Sequence, residues 1–340
     1  MRRLKSLAVL FGVLFAVVHV TRARADEPLV LKIATVAPEG TPWSVGLVEF
    51  KAMVEARTNG AITVKPFFGG VLGDENETVI ACQRGQIQGV GSSTGAFASV
   101  VPELAVLELP FLFQSTEEVD HILNDVILTT AEKAFRDRGL VLGFWSENGY
   151  RSFGTTFGFV KSPADLAGHK MRAQENPVHL AMYRAFGASP VPIPVTEVLT
   201  SMQTGVIDGY DNTPLFAQAA SWTEATKYFT MTNHIYQPAA IAFNEAWFDA
   251  LTAEQQAILV SARDELSPRM LGEIRALHPM LVENLVYLDV QVYSPTSAEL
   301  ATFHGPAKTA RDTYLATASA GEKAMYEKIA AALTEYRKTH

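Results

Sequence analysis

Cysteine is almost missing. Cys82 stands alone in 340 residues, so no internal disulfide can form and stability must come from core burial. It lies in a helical pattern with Val79 and Ile80, which places it in the core rather than at a reactive site. Cationic clusters are missing too. Lys and Arg number 28 against 36 Asp and Glu, a formal charge of −8, with no polybasic run. Nucleic acid is thereby excluded as a partner, because neutralising phosphates needs clustered Lys and Arg. Past residue 20 no apolar run approaches the ~20 residues that a spanning helix needs. No metal ligand set and no cofactor is assigned.

What is present begins with a basic Met1-Arg2-Arg3-Leu4-Lys5, an apolar Leu7 to Val20 and an Ala23-Arg24-Ala25 cleavage site. This is the pattern of a secretory signal peptide over residues 1–25, with periplasmic export and no membrane insertion after cleavage. Cleavage removes five cations (Arg2, Arg3, Lys5, Arg22, Arg24) and takes the charge from −8 to −13. The remaining length and the 48% hydrophobic content suit two domains of ordinary size.

The first half reads as βαβαβ. Leu29 to Val36 is a strand, Thr41-Pro42 opens a helix to about Asn59-Gly60, and Ile62 to Phe68 is a strand. A helix from Glu75 to Arg84 ends at Gly85, and Gln86 to Gly91 is a strand. This order implies a parallel sheet with helices on its faces. Leu140 to Trp145 is a further strand that ends at Glu147-Asn148-Gly149-Tyr150-Arg151.

Two stretches 120 residues apart share a pattern. Glu77, Gln83, Gly85, Ile87 and Gly89 coincide with Glu197, Gln203, Gly205, Ile207 and Gly209 without a gap. The echo suggests two matching lobes, with Ser92 and Asn212 facing each other between them. Gly91-Ser92-Ser93-Thr94-Gly95 also fits the G-x-S-x-G nucleophile elbow of an exported hydrolase. That motif requires a helix directly after the serine, and Ala96 to Pro102 is too short for one. Hydroxyls at a strand end that hydrogen-bond a ligand are the stronger interpretation of Ser92, Ser93 and Thr94.

The centre of the chain is Gly168 to Asn212, which reads as strand, loop, helix, strand, helix, strand. Arg172 sits near the end of the first of these strands and Asn212 just past the last. In open α/β sheets ligands bind outside the carboxyl ends of the strands. A permanently charged guanidinium there matches a carboxylate.

Together these segments resemble the solute-binding subunits of TRAP transporters, the DctP-like family. The likeness is carried by Gly73-Asp74-Glu75, Leu109-Pro110-Phe111, Glu147 to Arg151, Asp165 to Arg172, Gly187 to Pro192, Leu199 to Gly209 and Met231 to His234. It implies a two-lobed periplasmic-binding-protein-like α/β fold. Each lobe would hold a mainly parallel sheet flanked by helices, with a long helix bridging them. The expected parts are 26–148 with 237–276, 149–236 with 277–305, and a helical segment 306–340. The resemblance also implies a receptor rather than an enzyme. It would capture a small organic acid, C4-dicarboxylates among the candidates, and deliver it to membrane permease subunits. Arg172 would grip the carboxylate, supported by Asn212, with Arg151 near the same cleft. Ser92, Ser93, Thr94, Trp43, Asp211 and Tyr236 complete the candidate set. Gly209-Tyr210-Asp211-Asn212-Thr213-Pro214 departs from the family's Gly-x-Glu-Asn-Pro motif, and Ser93 replaces the glutamate of sialic-acid binders. An apolar solute, with Arg172 structural, is the alternative.

In the rest of the chain, Thr226 to Thr232 and Ala239 to Phe243 read as strands that cross between lobes. A helical region from Trp247 is kinked at Ser267-Pro268 and extends to Leu285. Val286 to Val292 reads as a strand and Ala298 to Tyr336 as helix.

Overall fold

A computed structural model describes residues 28–340, so the signal-peptide assignment lies outside the described residues. Its strands are β1 (Leu29–Ala34), β2 (Ile62–Phe67), β3 (Gly89–Ser93), β4 (Leu140–Thr155), β5 (Lys170–Ala173), β6 (Ser189–Pro192), β7 (Gly209–Asn212), β8 (Tyr228–Asn244) and β9 (Gln291–Tyr293). They form one mixed sheet in the order β2-β1-β3-β8-β4-β7-β5-β6, with β9 beside β8. The outer pairs are parallel, as the βαβ pattern requires. The three inner pairs, β3 with β8, β8 with β4 and β4 with β7, are antiparallel.

The order is nearly its own mirror. Read from the two edges inward, β2-β1-β3-β8 answers β6-β5-β7-β4. The 120-residue echo occupies matching places: the helices Glu75–Gln83 and Val198–Gln203 each turn back into the sheet at β3 and β7. The shared glycines explain the match. Gly85 and Gly205 have φ of 73° and 72°, left-handed values that a side chain resists. Each donates to the carbonyl three residues back, at Cys82 and Met202. The following amides bond to Ala81 and Ser201, closing the same helix-ending turn twice.

The sequence pattern was misleading in the middle. Leu140 to Trp145 does not stop at Glu147-Asn148-Gly149. It continues as one 16-residue strand. The residues that looked like a turn form an irregularity, where the β8 register shifts between Glu147 and Gly149 and Gly149 adopts φ of 94°. Likewise the two expected strands around Thr226–Phe243 are one, the 17-residue β8. Pro238, which cannot donate to a ladder, sits opposite Glu147 at that irregularity. These two long strands join the halves of the molecule.

Helices Ala253–Glu265 and Ser267–Tyr287 meet at Leu266, the bend that Ser267-Pro268 indicated. The second starts against the helix Pro42–Arg57, where Met270 meets Gly46, and ends beside Gln218, which bonds to Leu281 and Asn284. It therefore spans both halves. It also takes Val286 and Tyr287 from the strand expected over Val286–Val292; a turn follows, and only Gln291–Tyr293 is extended. Helix Ser297–Thr317 runs unbroken across residues 305 and 306. Among the described residues no helix is long and apolar enough to cross a membrane.

Apolar side chains cover both faces of the crossing strands, as expected for strands with no solvent side. Phe144 of β4 and Phe243 of β8 pack on Phe50, at ring separations of 5.7 and 6.2 Å. All three are fully buried. Truncating Phe144 to Ala should lower stability by about 3–5 kcal/mol, read as a shifted urea midpoint. A shift below about 1 kcal/mol would mean that this cluster does not anchor the crossing.

Candidate functional site

Strand β5 delivers Arg172. Its neighbours across the ladder are Tyr210 of β7 and Val191 of β6, so the residue sits inside the sheet and not at an edge. The side chain is 2% exposed. Its Nε donates to the Ile193 carbonyl at 2.9 Å, and the Trp222 ring lies 5.9 Å from the guanidinium carbon. Its two terminal nitrogens hydrogen-bond to no protein group among the described residues. They border a cavity also lined by Thr35, Trp43, Glu75, Ser92, Ser93, Asn148, Arg151, Gln174, Asn212, Phe216 and Gln237. Burial and the nearby Arg151 lower the Arg172 pKa; Asp211, Asp74 and Glu75 act the other way. Arginine nonetheless stays charged.

The enclosed free space is small, about 20 Å³, room for about one water molecule. A wider cavity of about 290 Å³ adjoins it and shares Val36, Val195 and Phe216. The halves are thus closed over the site. Hydrogen bonds that span it include Gln174 Nε2 to Ser93 Oγ (2.9 Å), Asn176 Nδ2 to the Gly95 carbonyl (3.0 Å), the Val195 amide to Asp74 Oδ1 (2.9 Å) and Gln237 Nε2 to Gln174 Oε1 (2.9 Å).

Arg151 differs from Arg172 in having every nitrogen occupied. Nε donates to Asp211 Oδ2 at 2.6 Å, one terminal nitrogen to Gln237 Oε1 at 2.8 Å, and the other to the Asp211 carbonyl. Asp211 also accepts from the Tyr183 hydroxyl at 2.7 Å. Ring nitrogens of His234 and His179 stand 3.6 and 3.9 Å from it. Burial alone would raise the Asp211 carboxyl, but Arg151 and the two histidines outweigh it and hold it well below the usual range. A second buried carboxylate, Glu108, accepts from Thr94 Oγ1, the Gly95 amide and Gln237 Nε2, and pairs with His179 Nε2 at 2.7 Å. This network holds the strands that carry the cavity.

The candidate residues divide. Arg172, Asn212, Arg151, Ser92, Ser93 and Trp43 line the cavity. Asn212 Oδ1 accepts from Thr213, and its Nδ2 bonds to no protein group among the described residues. Trp43 spends its indole N–H on the Glu147 carbonyl and offers only its ring. Three candidates lie elsewhere. Asp211 is behind Arg151, and Thr94 bonds to Glu108 and Pro238. Tyr236 points to the other side of β8, where its hydroxyl meets Glu147 and it borders a separate cavity of about 180 Å³ with Tyr150, Ile274 and His278. Side chains alternate along a strand, so the cleft-facing partner is the next residue, Gln237. The same alternation separates Asp211 from Asn212. Glu75, Gln174 and Gln237 escaped the sequence search; Gln174, two residues beyond Arg172, was accessible by that period of two.

Ser93 does cap a helix that follows at once, the four-residue Thr94–Phe97, contrary to expectation. Its hydroxyl accepts from the Ala96 amide and from Gln174, and Ser92 donates to Glu75. No histidine hydrogen-bonds to either serine among the described residues, so the Ser–His pair of a nucleophile elbow is not formed there.

An α/β molecule whose halves close over one buried guanidinium with free donors is a solute receptor of the binding-protein class. Comparison with known proteins gives the same answer. Residues 33–317 match the model of the bacterial extracellular solute-binding proteins, family 7, and the chain belongs to that family. A solute-binding protein of Verminephrobacter eiseniae is 33% identical over 274 residues, covering 77% of this chain and 82% of that one. The 2,3-diketo-L-gulonate-binding periplasmic protein YiaO of Escherichia coli is 33% identical over 218 residues, 64% of this chain and 66% of that one. A TRAP periplasmic solute-binding protein of Sulfitobacter, solved with bound β-D-galacturonate, superposes with a TM-score of 0.83 at 25% identity, covering 88% of this chain and 98% of that one.

Asp74 gives the closed form a pH dependence. Burial, reinforced by Glu75, pushes its carboxyl up to about 6, against the pull of Arg172 and of the Thr196 and Val195 amides. A raised carboxyl pKa favours the fold when protonated. That contribution is complete below the ordinary value of 3.8 and is lost as pH rises through about 6. Melting temperature should therefore fall between about pH 4.5 and pH 7.5, and Asp74→Asn, which keeps an acceptor for Val195, should flatten that slope. An unchanged slope in the variant would assign the dependence to other groups.

Proposed function

We propose that the chain is the periplasmic receptor of a TRAP transporter and takes a small organic acid by its carboxylate. The observation that carries this is Arg172: a guanidinium 2% exposed, on a residue that lines a cavity, whose terminal nitrogens hydrogen-bond to no protein group among the described residues. Its fork matches a carboxylate with two parallel hydrogen bonds. Asn212 lines the same cavity, and its side-chain amide would donate a third. The attraction is stronger there than at a surface because Coulomb energy rises as water is excluded. A neutral or wholly apolar solute would leave the cation buried and unpaired, which is costly.

Sugar-derived acids are one class that likeness supports, since the Escherichia coli relative is named for 2,3-diketo-L-gulonate and the Sulfitobacter structure holds galacturonate. Binding ends in closure and delivery to a permease, with no chemical step. The halves that move are the one carrying β2-β1-β3 and the one carrying β6-β5-β7, hinged on β4 and β8.

Calorimetry with galacturonate and 2,3-diketo-L-gulonate tests this. Arg172→Gln should weaken whichever acid binds by at least about tenfold, in a protein that still unfolds in one cooperative transition. Unchanged affinity would remove Arg172 from the site.

A further inference from the structure

Arg172 and Asn212 account for one end of a ligand. Glu75 faces the same cavity and is unassigned. It begins the helix Glu75–Gln83, on the opposite half of the molecule from β5. One of its oxygens, Oε1, is fully engaged, accepting from Ser92 Oγ at 3.0 Å and from the Ser93 amide at 2.9 Å. These two bonds fix the carboxylate in direction.

The other oxygen, Oε2, meets only Gln174 Nε2, at 3.4 Å, the outer edge of a hydrogen bond. That same nitrogen makes its better bond to Ser93 Oγ, at 2.9 Å. No lysine or arginine hydrogen-bonds to Glu75 among the described residues. Oε2 therefore keeps acceptor capacity at the wall of a buried anion site.

Charge decides what can approach it. Arg151 is neutralised by Asp211 and is not available to a ligand. Of the charged side chains on the cavity, that leaves Arg172 and Glu75, one cation and one anion. A ligand with one carboxylate uses the cation. A second carboxylate would find only Glu75, and like charges in a low dielectric repel strongly.

We propose that Glu75 sets specificity at the far end of the ligand, accepting a hydrogen bond from a hydroxyl or ammonium group and rejecting a second carboxylate. The substrate class is then a monocarboxylate with a hydrogen-bond donor beyond the acid group, and not a dicarboxylate. This rests on the carboxylate of the ligand lying on Arg172.

Three acids of one carbon skeleton test it by calorimetry on the whole protein: D-galactonate, 6-amino-6-deoxy-D-galactonate and galactarate. They differ only at the last carbon, which is a hydroxymethyl, an ammoniomethyl or a carboxylate carbon. Galactarate should bind at least about tenfold more weakly than the better of the other two. Which of those two is tighter identifies the donor as neutral or cationic. In Glu75→Gln the gap should shrink to about threefold or less, chiefly because galactarate gains affinity. The wild-type ranking needs no variant, so an unstable Glu75→Gln would not rescue the idea.

Galactarate binding wild type as tightly as both others overturns the inference. So does a folded Glu75→Gln with an unchanged gap, which would make Glu75 merely a brace for Ser92 and Ser93. If galactonate and galactarate bind alike and both are lost in Arg172→Gln, only the inference about Glu75 fails. Heat from none of the three overturns the carboxylate assignment and this inference with it.

Discussion

A cation kept out of water without a full set of partners is costly, and the arrangement around Arg172 is shaped by that cost. Its Nε has a carbonyl, its stem lies within the sheet, and Trp222 stands beside it, but two nitrogens remain uncommitted. Asp211, Asp74 and Glu75 offset the strain from a distance, and none hydrogen-bonds to it. On the proposed function, an arriving carboxylate would lower that cost most where water is most excluded, and affinity and closure would be two descriptions of one electrostatic event.

The second arginine makes that tolerable. Arg151 lies close enough to disfavour the charge on Arg172, yet its own charge is met by Asp211 and its donors by Gln237 and the Asp211 backbone. From there the bonds continue through Gln237 to Gln174 and Glu108, and through Glu108 to His179. A buried polar network satisfied at nearly every atom is stiff and specifies one arrangement. The exceptions are His179 Nδ1 and His234 Nε2, each facing Asp211 without a hydrogen bond.

Much of this was legible before any coordinates. The βαβ alternation announced parallel outer strands, Thr41-Pro42 announced a helix start, and Arg172 stood out because its strand had to end at a crevice. The paired glycines at 85 and 205 exposed the internal likeness of the halves. What stayed hidden had physical reasons. Glu147-Asn148-Gly149 has turn composition, and only the pairing with β8 turns it into a strand irregularity. Which of two adjacent residues faces the cavity depends on strand phase, and a one-residue error exchanged Gln237 for Tyr236. Glu75 lies across the gap between halves from Arg172, at a separation that local pattern does not encode.

The irregularities in β4 bear on how such a molecule moves. The two halves are joined by β4 and β8, hydrogen-bonded to each other from Leu140–Asn244 to Thr155–Tyr228, with register offsets near Gly143, Asn148 and Ser152. Pulling such a ribbon apart would strain many bonds at once, whereas twisting it concentrates the deformation at the offsets. Arg151 stands beside the last of them, and Asn212 pairs with Ser152 there. Two of the offsets thus fall beside Asn148, Arg151 and Asn212, all on the cavity wall, so torsion of the ribbon there would shift that wall.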